Sequence, residues 1–521
     1  MTDAATGADR EARVGLDPPA ARLLLLAAAV VALVVRVAFL ADKPFWRDEA
    51  WVALLVDQPL AGFSDSSSPH SVPIGFVALV KLTAAIPGLI PEVTFRIVPL
   101  AVGLAVLPAL VWLGVNLGAS LTTITIAVWA AAGMPALVYY SRELKSYDID
   151  LLVALLVPSL ALRVCGRAAG YAGQPSVGVM GTALALTLAA APWLSFGAVF
   201  PIVATLGWGW AVWWPSAPSP VRRAWAVATL VFICSFVIVY EFVLAEQSTS
   251  SSLHEYWRLS LFAKDGQSIF AQIPVAAYRY VAISTTYLFP DCYRAMEGLA
   301  VIGLAAWPGR LRWFLAWLGV GSAVMVIGLA LADRYLIAHG RLLLFAAPPL
   351  LLFAAAGLER VSNLALGRAG TGVAIALAML LAMVWSGAAI RHRLSPYRND
   401  PWKYFVYDVL HDVDQLTAAA AEIVPAGEPL LVSQCASKPF IYYRRGRLPG
   451  ATLTLAPWPT SMAILDTFLN GITRRGWVML IDEESDKFAR AAAAAGIVPR
   501  RAAEARGAQL WELTRAAPHA A

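Results

Sequence analysis

Apolar runs long enough to cross a bilayer recur along most of this chain, and no other feature restricts its fold as strongly. Bilayer hydrocarbon is about 30 Å thick and is matched by about 20 residues of helix. Such runs occupy residues 22–41, 95–117, 120–139, 149–165, 177–192, 195–214, 223–245, 295–308, 312–332, 341–358 and 371–390. Only 14% of the 521 residues are charged, where a soluble chain carries about 25%, and the mean hydropathy is +0.66. The expected fold class is a polytopic α-helical membrane protein with about eleven spans.

The net charge of +6 does not point to nucleic acid, because the arginines punctuate apolar helices and form no basic face. They act better as topology signals. An apolar stretch at 73–87 is short, carries Lys81 and is bracketed by Pro73 and Pro87. Counted as a span, it would put Arg163/Arg167, Arg222/Arg223, Arg310/Arg312 and Arg360/Arg368 outside. Laid in the outer interface, it puts all four connectors inside, which the positive-inside rule favours. Residues 1–21, with Arg10 and Arg13, are then cytoplasmic, and the first apolar run is an uncleaved anchor, since no small-residue cleavage site follows it. The same parity places outside the loops 42–94, 140–148 and 246–296 and the tail 391–521. Cys165 and Cys234 lie in or beside apolar runs. Cys292 and Cys435 share the outer side, where a disulfide is chemically compatible.

The tail reads as a small soluble α/β domain of roughly 130 residues, enough to bury its own core. PAGEPLLVSQCASKPFIYYRRG suggests a strand, a turn and a helix or second strand, and RRGWVMLIDEE another strand. DKFARAAAAAGIVPR is a helix closed by Gly496, and GAQLWELTR a final strand. No glycine-rich phosphate fingerprint and no internal repeat is present.

Two acidic segments carry the chemistry. In PFWRDEAWVALLVDQPL (44–60), Asp48 and Glu49 follow the first span. They suit the N-cap and first turn of an interfacial helix, with Trp46 and Trp51 as anchors. They equally suit a partly desolvated general base at the membrane surface. In PALVYYSRELKSYDIDLL (135–152), Arg142, Glu143, Lys145, Tyr147, Asp148 and Asp150 are packed between two apolar helices. An ordinary solvated connector explains this less well, because such groups are costly beside a membrane unless they face a cavity or each other. Glu143, Tyr147 and Asp150 fall at i, i+4 and i+7, one helical face, and the mixed charges suit a phosphate beside a carboxylate.

The order of these elements resembles the GT-C superfamily of membrane glycosyltransferases. The acidic pair is followed by a Pro-flanked stretch (SPHSVPIGFVALVKL, 68–82), an arginine-led span (94–114), the YYSRELKSYDID segment (139–150) and a span begun by basic residues (AHGRLLLFAAPPLLLFAAAGLER, 338–360). Protein O-mannosyltransferases, the aminoarabinose transferase of lipid A and oligosaccharyltransferases share that layout, which here covers 22–390. Motif matches are confined to 45–51, 68–76, 139–150 and 334–358. The resemblance implies an inverting enzyme that takes a sugar from a polyprenyl-phosphate donor to a hydroxyl of a lipid, glycan or protein acceptor. It implies work at the outer face of a bacterial cytoplasmic membrane. By position Asp48 is the general base, with Glu49 beside it. His70 and Pro73 match a Pro-rich element whose usual Pro-Pro pair is broken here as SVP. Glu143, Lys145, Tyr147 and Asp148 match the second-loop pattern, with Arg142 among them, and Arg341 would face the lipid phosphate. Lys81 and, in the third loop, His254, Arg258 and Lys264 are further candidates, the last three on a lid. Some relatives need a divalent ion such as Mg or Mn and others do not. Asp48, Glu143 and Asp148 are the carboxylates that could approach one another around one.

A transporter or lipid-linked sugar flippase would also bury charges, but it usually shows paired repeats with broken helices. A non-catalytic scaffold presenting the 391–521 domain would not need the second acidic segment. The enzymatic reading expects Asp48 and the Glu143–Asp148 segment to line one lipid-open cavity with Arg341 or Lys145.

Overall fold

In the computed structural model, the described residues are 16–60 (apart from 39, 42 and 43), 72–167, 176–245, 268–394 (apart from 291, 333, 338 and 339), 412–445, 452–455 and 462–515 (apart from 482–484 and 506). The chain divides into two units: Met1–Ala38, Ser64–Leu79 and Arg96–Arg391 form one, and Phe39–Phe63, Val80–Phe95 and His392–Ala521 the other.

In chain order, the helices up to residue 394 are α1 (Pro18–Val37), α2 (Arg47–Asp57), α3 (Ile74–Ala84), α4 (Ile97–Asn116), α5 (Leu121–Gly133), α6 (Pro135–Tyr140), α7 (Tyr147–Val164), α8 (Val177–Leu194), α9 (Val199–Trp208), α10 (Ser219–Val239), α11 (Ile269–Leu288), α12 (Tyr293–Ala306), α13 (Leu311–Leu331), α14 (Ala347–Leu366) and α15 (Gly370–Leu394). Each of the eleven apolar runs is helical over most of its length. Among the described residues, six helical stretches are long and apolar enough to cross a membrane: Pro18–Val37, Pro91–Asn116, Val177–Leu194, Ser219–Leu244, Leu311–Leu331 and Gly340–Ala388. The chain is a multi-pass membrane protein.

Its first unit packs by membrane rules. Leu23, Leu26, Val30 and Val34 of α1 are exposed while Ala21, Ala28 and Ala32 are buried. Lipid satisfies large apolar side chains, so small ones gather where helices meet. The same logic brings α12 and α14 together through two glycines. A Cβ at Gly303 would lie 1.8 Å from the Phe353 carbonyl oxygen, and one at Gly357 1.9 Å from that of Leu299.

One expectation stands and one changes here. The 73–87 stretch yields α3, an 11-residue helix, whose length of about 16 Å is too short to cross. The second half of the 246–296 loop is α11, a 20-residue helix that packs on α13 through Ala276 and Tyr280 against Val326 and Ala330. Gln272, Pro274 and Arg279 lower its hydropathy, so its length is invisible to an apolar-run search.

The second unit is built on a five-stranded sheet of order β2-β1-β3-β5-β4. After α16 (Val413–Ile423) come β1 (Pro429–Val432), α17 (Gln434–Tyr443), β2 (Thr452–Leu455), α18 (Met462–Gly471), β3 (Arg475–Ile481), α19 (Ser485–Ala494), β4 (Ile497–Ala505) and β5 (Ala508–Arg515). β1 pairs in parallel with β2 and β3, and β5 is antiparallel to β3 and β4. On β3, Trp477, Met479 and Ile481 face α16 and α17, whereas Val478 and Leu480 face α18 and α19. That alternation with both faces covered is the two-residue period of a strand buried between helix layers. The expected strands and the helix before Gly496 (φ +66°) are present. β2 and β4 are additions that the sequence pattern did not signal. The Cys435 side chain, and with it the proposed disulfide, lies outside the described residues.

Candidate active site

The acidic pair opens α2. Trp46 is its N-cap and offers no side-chain cap, so the first-turn carboxylates of Asp48 and Glu49 are the negative charges at the positive end of the helix dipole. The two differ in environment. Glu49 is fully buried, whereas the Asp48 side chain keeps 14% exposure and stands 3.4 Å from the Arg47 guanidinium. Of the two, Asp48 is the carboxylate with access to solvent. At the other end of α2, the Lys81 ammonium donates to the Val56 carbonyl. This is the favourable place for a cation on a helix.

The second acidic segment lies in the membrane unit, and it does not form the expected single helical face. Ser141–Ser146 is a turn, and α7 begins only at Tyr147. The side chains consequently diverge. Asp150 accepts hydrogen bonds from the Ser195 hydroxyl and the Ala198 amide, ahead of α9. Arg142 is buried and donates to the carbonyls of Val35 (3.2 Å) and Ala38 (3.3 Å), closing the C-terminal end of α1. Asp148 is 1% exposed, and neither carboxylate oxygen has a hydrogen-bond partner among the described residues. Gly103 of α4 makes room for it, since a Cβ there would lie 2.7 Å from Asp148 Oδ2. The cation acting on it is Arg36 of α1, itself fully buried and donating to the carbonyls of Ala132 (2.8 Å) and Ala131 (3.2 Å).

Glu143, Tyr147 and Arg341 do come together. The Arg341 guanidinium stands 5.8 Å from the Tyr147 ring centre. Tyr140 meets Tyr147 edge-on at 5.2 Å, and the Tyr140 and Tyr287 hydroxyls are hydrogen-bonded. Arg341 and Glu143 both act electrostatically on these two phenols. Gly340 sets the approach, because a Cβ there would fall 2.1 Å from the Tyr287 ring. Tyr140 and Tyr287 were not singled out in the sequence, where both fall in outer loops, 140–148 and 246–296. The cluster joins a fixed cation to aromatic faces, phenol donors and a carboxylate, a set suited to a phosphate and a sugar. Lys145 is 9% exposed in the same connector.

His70, His254, Arg258 and Lys264 lie outside the described residues. Among the described residues no three His, Cys, Asp or Glu side chains could hold a metal ion. Asp148 is enclosed with Arg36.

No sequence-family profile matches the chain, and no curated protein matches it by sequence. Its fold does match solved structures. ArnT from Cupriavidus metallidurans bound to undecaprenyl phosphate is similar with a TM-score of 0.52 and 13% identity, over 95% of this chain and 98% of that one. The Archaeoglobus fulgidus oligosaccharyltransferase in complex with Zn and sulfate is similar with a TM-score of 0.55 and 12% identity, over 90% and 69%. The archaeal enzyme AglB in complex with an inhibitory peptide and a dolichol-phosphate gives 0.51 and 11%, over 92% and 69%. At such identities the likeness establishes the fold alone: the chain is folded like ArnT and the archaeal oligosaccharyltransferase.

Proposed function

We propose that this chain, built on the GT-C fold, is an inverting glycosyltransferase that uses a polyprenyl-phosphate-linked sugar. The acceptor is a hydroxyl of a lipid, glycan or protein. The observation that carries this is the Arg341–Tyr147–Tyr140–Tyr287 cluster with Glu143. A permanent cation stacked on phenols at the end of apolar helices is what a lipid-borne phosphate needs. Its tail belongs in hydrocarbon and its headgroup at the boundary.

The chemistry follows from the groups available. Asp48 removes the acceptor proton, and the oxygen attacks the anomeric carbon from the face opposite the phosphate. The bond between that carbon and the phosphate oxygen breaks, and polyprenyl phosphate leaves with the electron pair, inverting the centre. A placed base contributes about 10²–10⁴-fold. Arg341, helped by Lys145, neutralises charge developing on the leaving phosphate where water is scarce. Glu143 and Tyr147 hold the sugar and phosphate.

The proposal extends to topology: about eleven spans in a bacterial cytoplasmic membrane, α3 in the outer interface, and Asp48, the 140–148 connector and the 391–521 domain on the extracytoplasmic side. This topology puts all four Arg-bearing connectors on the inner side, as the positive-inside rule favours.

The test is transfer by the purified protein in lipid nanodiscs, with radiolabelled polyprenyl-phosphate sugars and hydroxyl acceptors, read as release of polyprenyl phosphate with matching acceptor labelling. Label crossing vesicle membranes without glycosidic bond formation would instead establish a flippase.

A further inference from the structure

The helix that carries Asp48 is held by the C-terminal α/β domain, and one phenol makes the connection. Within the second unit, α17 of the tail lies against α2. The Tyr443 hydroxyl at the end of α17 accepts a hydrogen bond from the Phe45 amide at 2.7 Å and donates one to Glu92 Oε1 at 3.0 Å. It thereby ties three remote segments: the residues entering α2, the short helix Pro91–Thr94 that follows α3, and the tail. Rings reinforce the knot. Phe45, fully buried, stacks on Phe95 at 5.7 Å and meets Tyr442 edge-on at 5.3 Å. Further along α2, the Lys438 ammonium stands 5.6 Å from the Trp51 ring centre, and Arg445 pairs with Asp57.

The placement matters because α2 lacks a side-chain cap at its own start. Its entry point is set by Phe45, three residues before Asp48, and a shift there rotates the first turn. Burial, together with the adjoining Glu92 carboxylate, pushes the Tyr443 phenol well above the ordinary tyrosine range. The hydroxyl keeps its proton and goes on donating to Glu92 at any working pH.

We propose that Tyr443 is a positioning residue for Asp48, so that the C-terminal domain is part of the catalytic apparatus and not an appended module. This rests on the transferase reading and goes beyond it, since it assigns a task to a domain that the chemistry does not otherwise use. Tyr443 touches neither donor nor acceptor in this scheme. It acts through the register of α2.

The experiment uses the full chain in nanodiscs with three variants. Tyr443→Phe keeps the ring and removes the hydroxyl. Its kcat is expected to fall about tenfold with donor KM changed less than about twofold, and hydrogen exchange at amides 45–50 is expected to rise while β3 is unchanged. Glu92→Gln keeps an acceptor for the phenol and is expected to lose less kcat than Glu92→Leu. Unchanged kcat and unchanged exchange in Tyr443→Phe overturn the inference, as does a loss shared equally by kcat, donor KM and β3 protection, which marks general unfolding. Asp48→Asn separates the two claims. If Asp48→Asn is inactive and Tyr443→Phe is normal, only the positioning role falls. If Asp48→Asn is active, Asp48 is not the base and both fall.

Discussion

The guanidinium of Arg341 stands 5.8 Å from the ring centre of Tyr147, so the cation at the start of one membrane segment is fixed against the first residue of another. Such a contact suits arginine, whose flat and weakly hydrated guanidinium covers a ring and pairs with anions through its planar edge. Arg341→Ala is expected to lower kcat/KM for the polyprenyl-phosphate donor by about 100-fold and Arg341→Lys by about tenfold. Steady-state kinetics with a fixed acceptor measure both. Equal activity for Lys and Arg would mean that a point charge suffices and the stack is incidental.

Asp48→Asn keeps the shape of the side chain and removes the base. Turnover should drop by about 10²–10⁴-fold while donor affinity, measured by equilibrium binding of the labelled lipid, stays within about twofold. Near-normal turnover would take Asp48 out of the role. Glu49, fully buried beside it, is expected to respond differently. Glu49→Gln should show its effect in thermal stability as well as in rate.

Arg36 and Asp148 form a buried electrostatic couple between α1 and α7. Arg36→Met leaves a carboxylate enclosed without its cation and should cost about 3 kcal/mol. Adding Asp148→Asn should return part of that loss, because the double variant buries no unmatched charge. Denaturant unfolding in detergent gives the cycle. Strict additivity would show that the two groups are not coupled.

The Tyr443 phenol also predicts a pH response. Its folded pKa lies above the unfolded value of about 10. The folded state therefore holds the proton more tightly, and the stability this contributes is complete below about pH 10 and falls as pH rises beyond it. The melting temperature should be flat between about pH 7 and 9 and decline above about pH 10. Tyr443→Phe should show a shallower alkaline slope. Tyr442, raised by burial and by Glu92, contributes to the slope that remains. Identical slopes in both proteins would place the alkaline transition elsewhere.

Hydropathy and period alone determined that the chain crosses a membrane repeatedly and ends in an α/β domain. Each depends on the transfer or pairing preference of neighbouring residues. The acidic pair at the start of a helix was legible for the same local reason, and Arg341 was legible as a cation at the start of a span. What lay beyond the sequence was direction. Asp148, Arg142 and Asp150 share one connector and its adjoining helix, yet they turn to Arg36, to the end of α1 and to the start of α9. That divergence follows from a turn at Ser141–Ser146 where a continued helix was expected. Tyr140 meets Tyr287 across 147 residues of chain, and Phe45 meets Tyr443 across 398. Periodicity fixes which residues lie on one face of a helix. Which face meets which partner is decided by packing among segments remote in sequence, and only the folded chain contains that information.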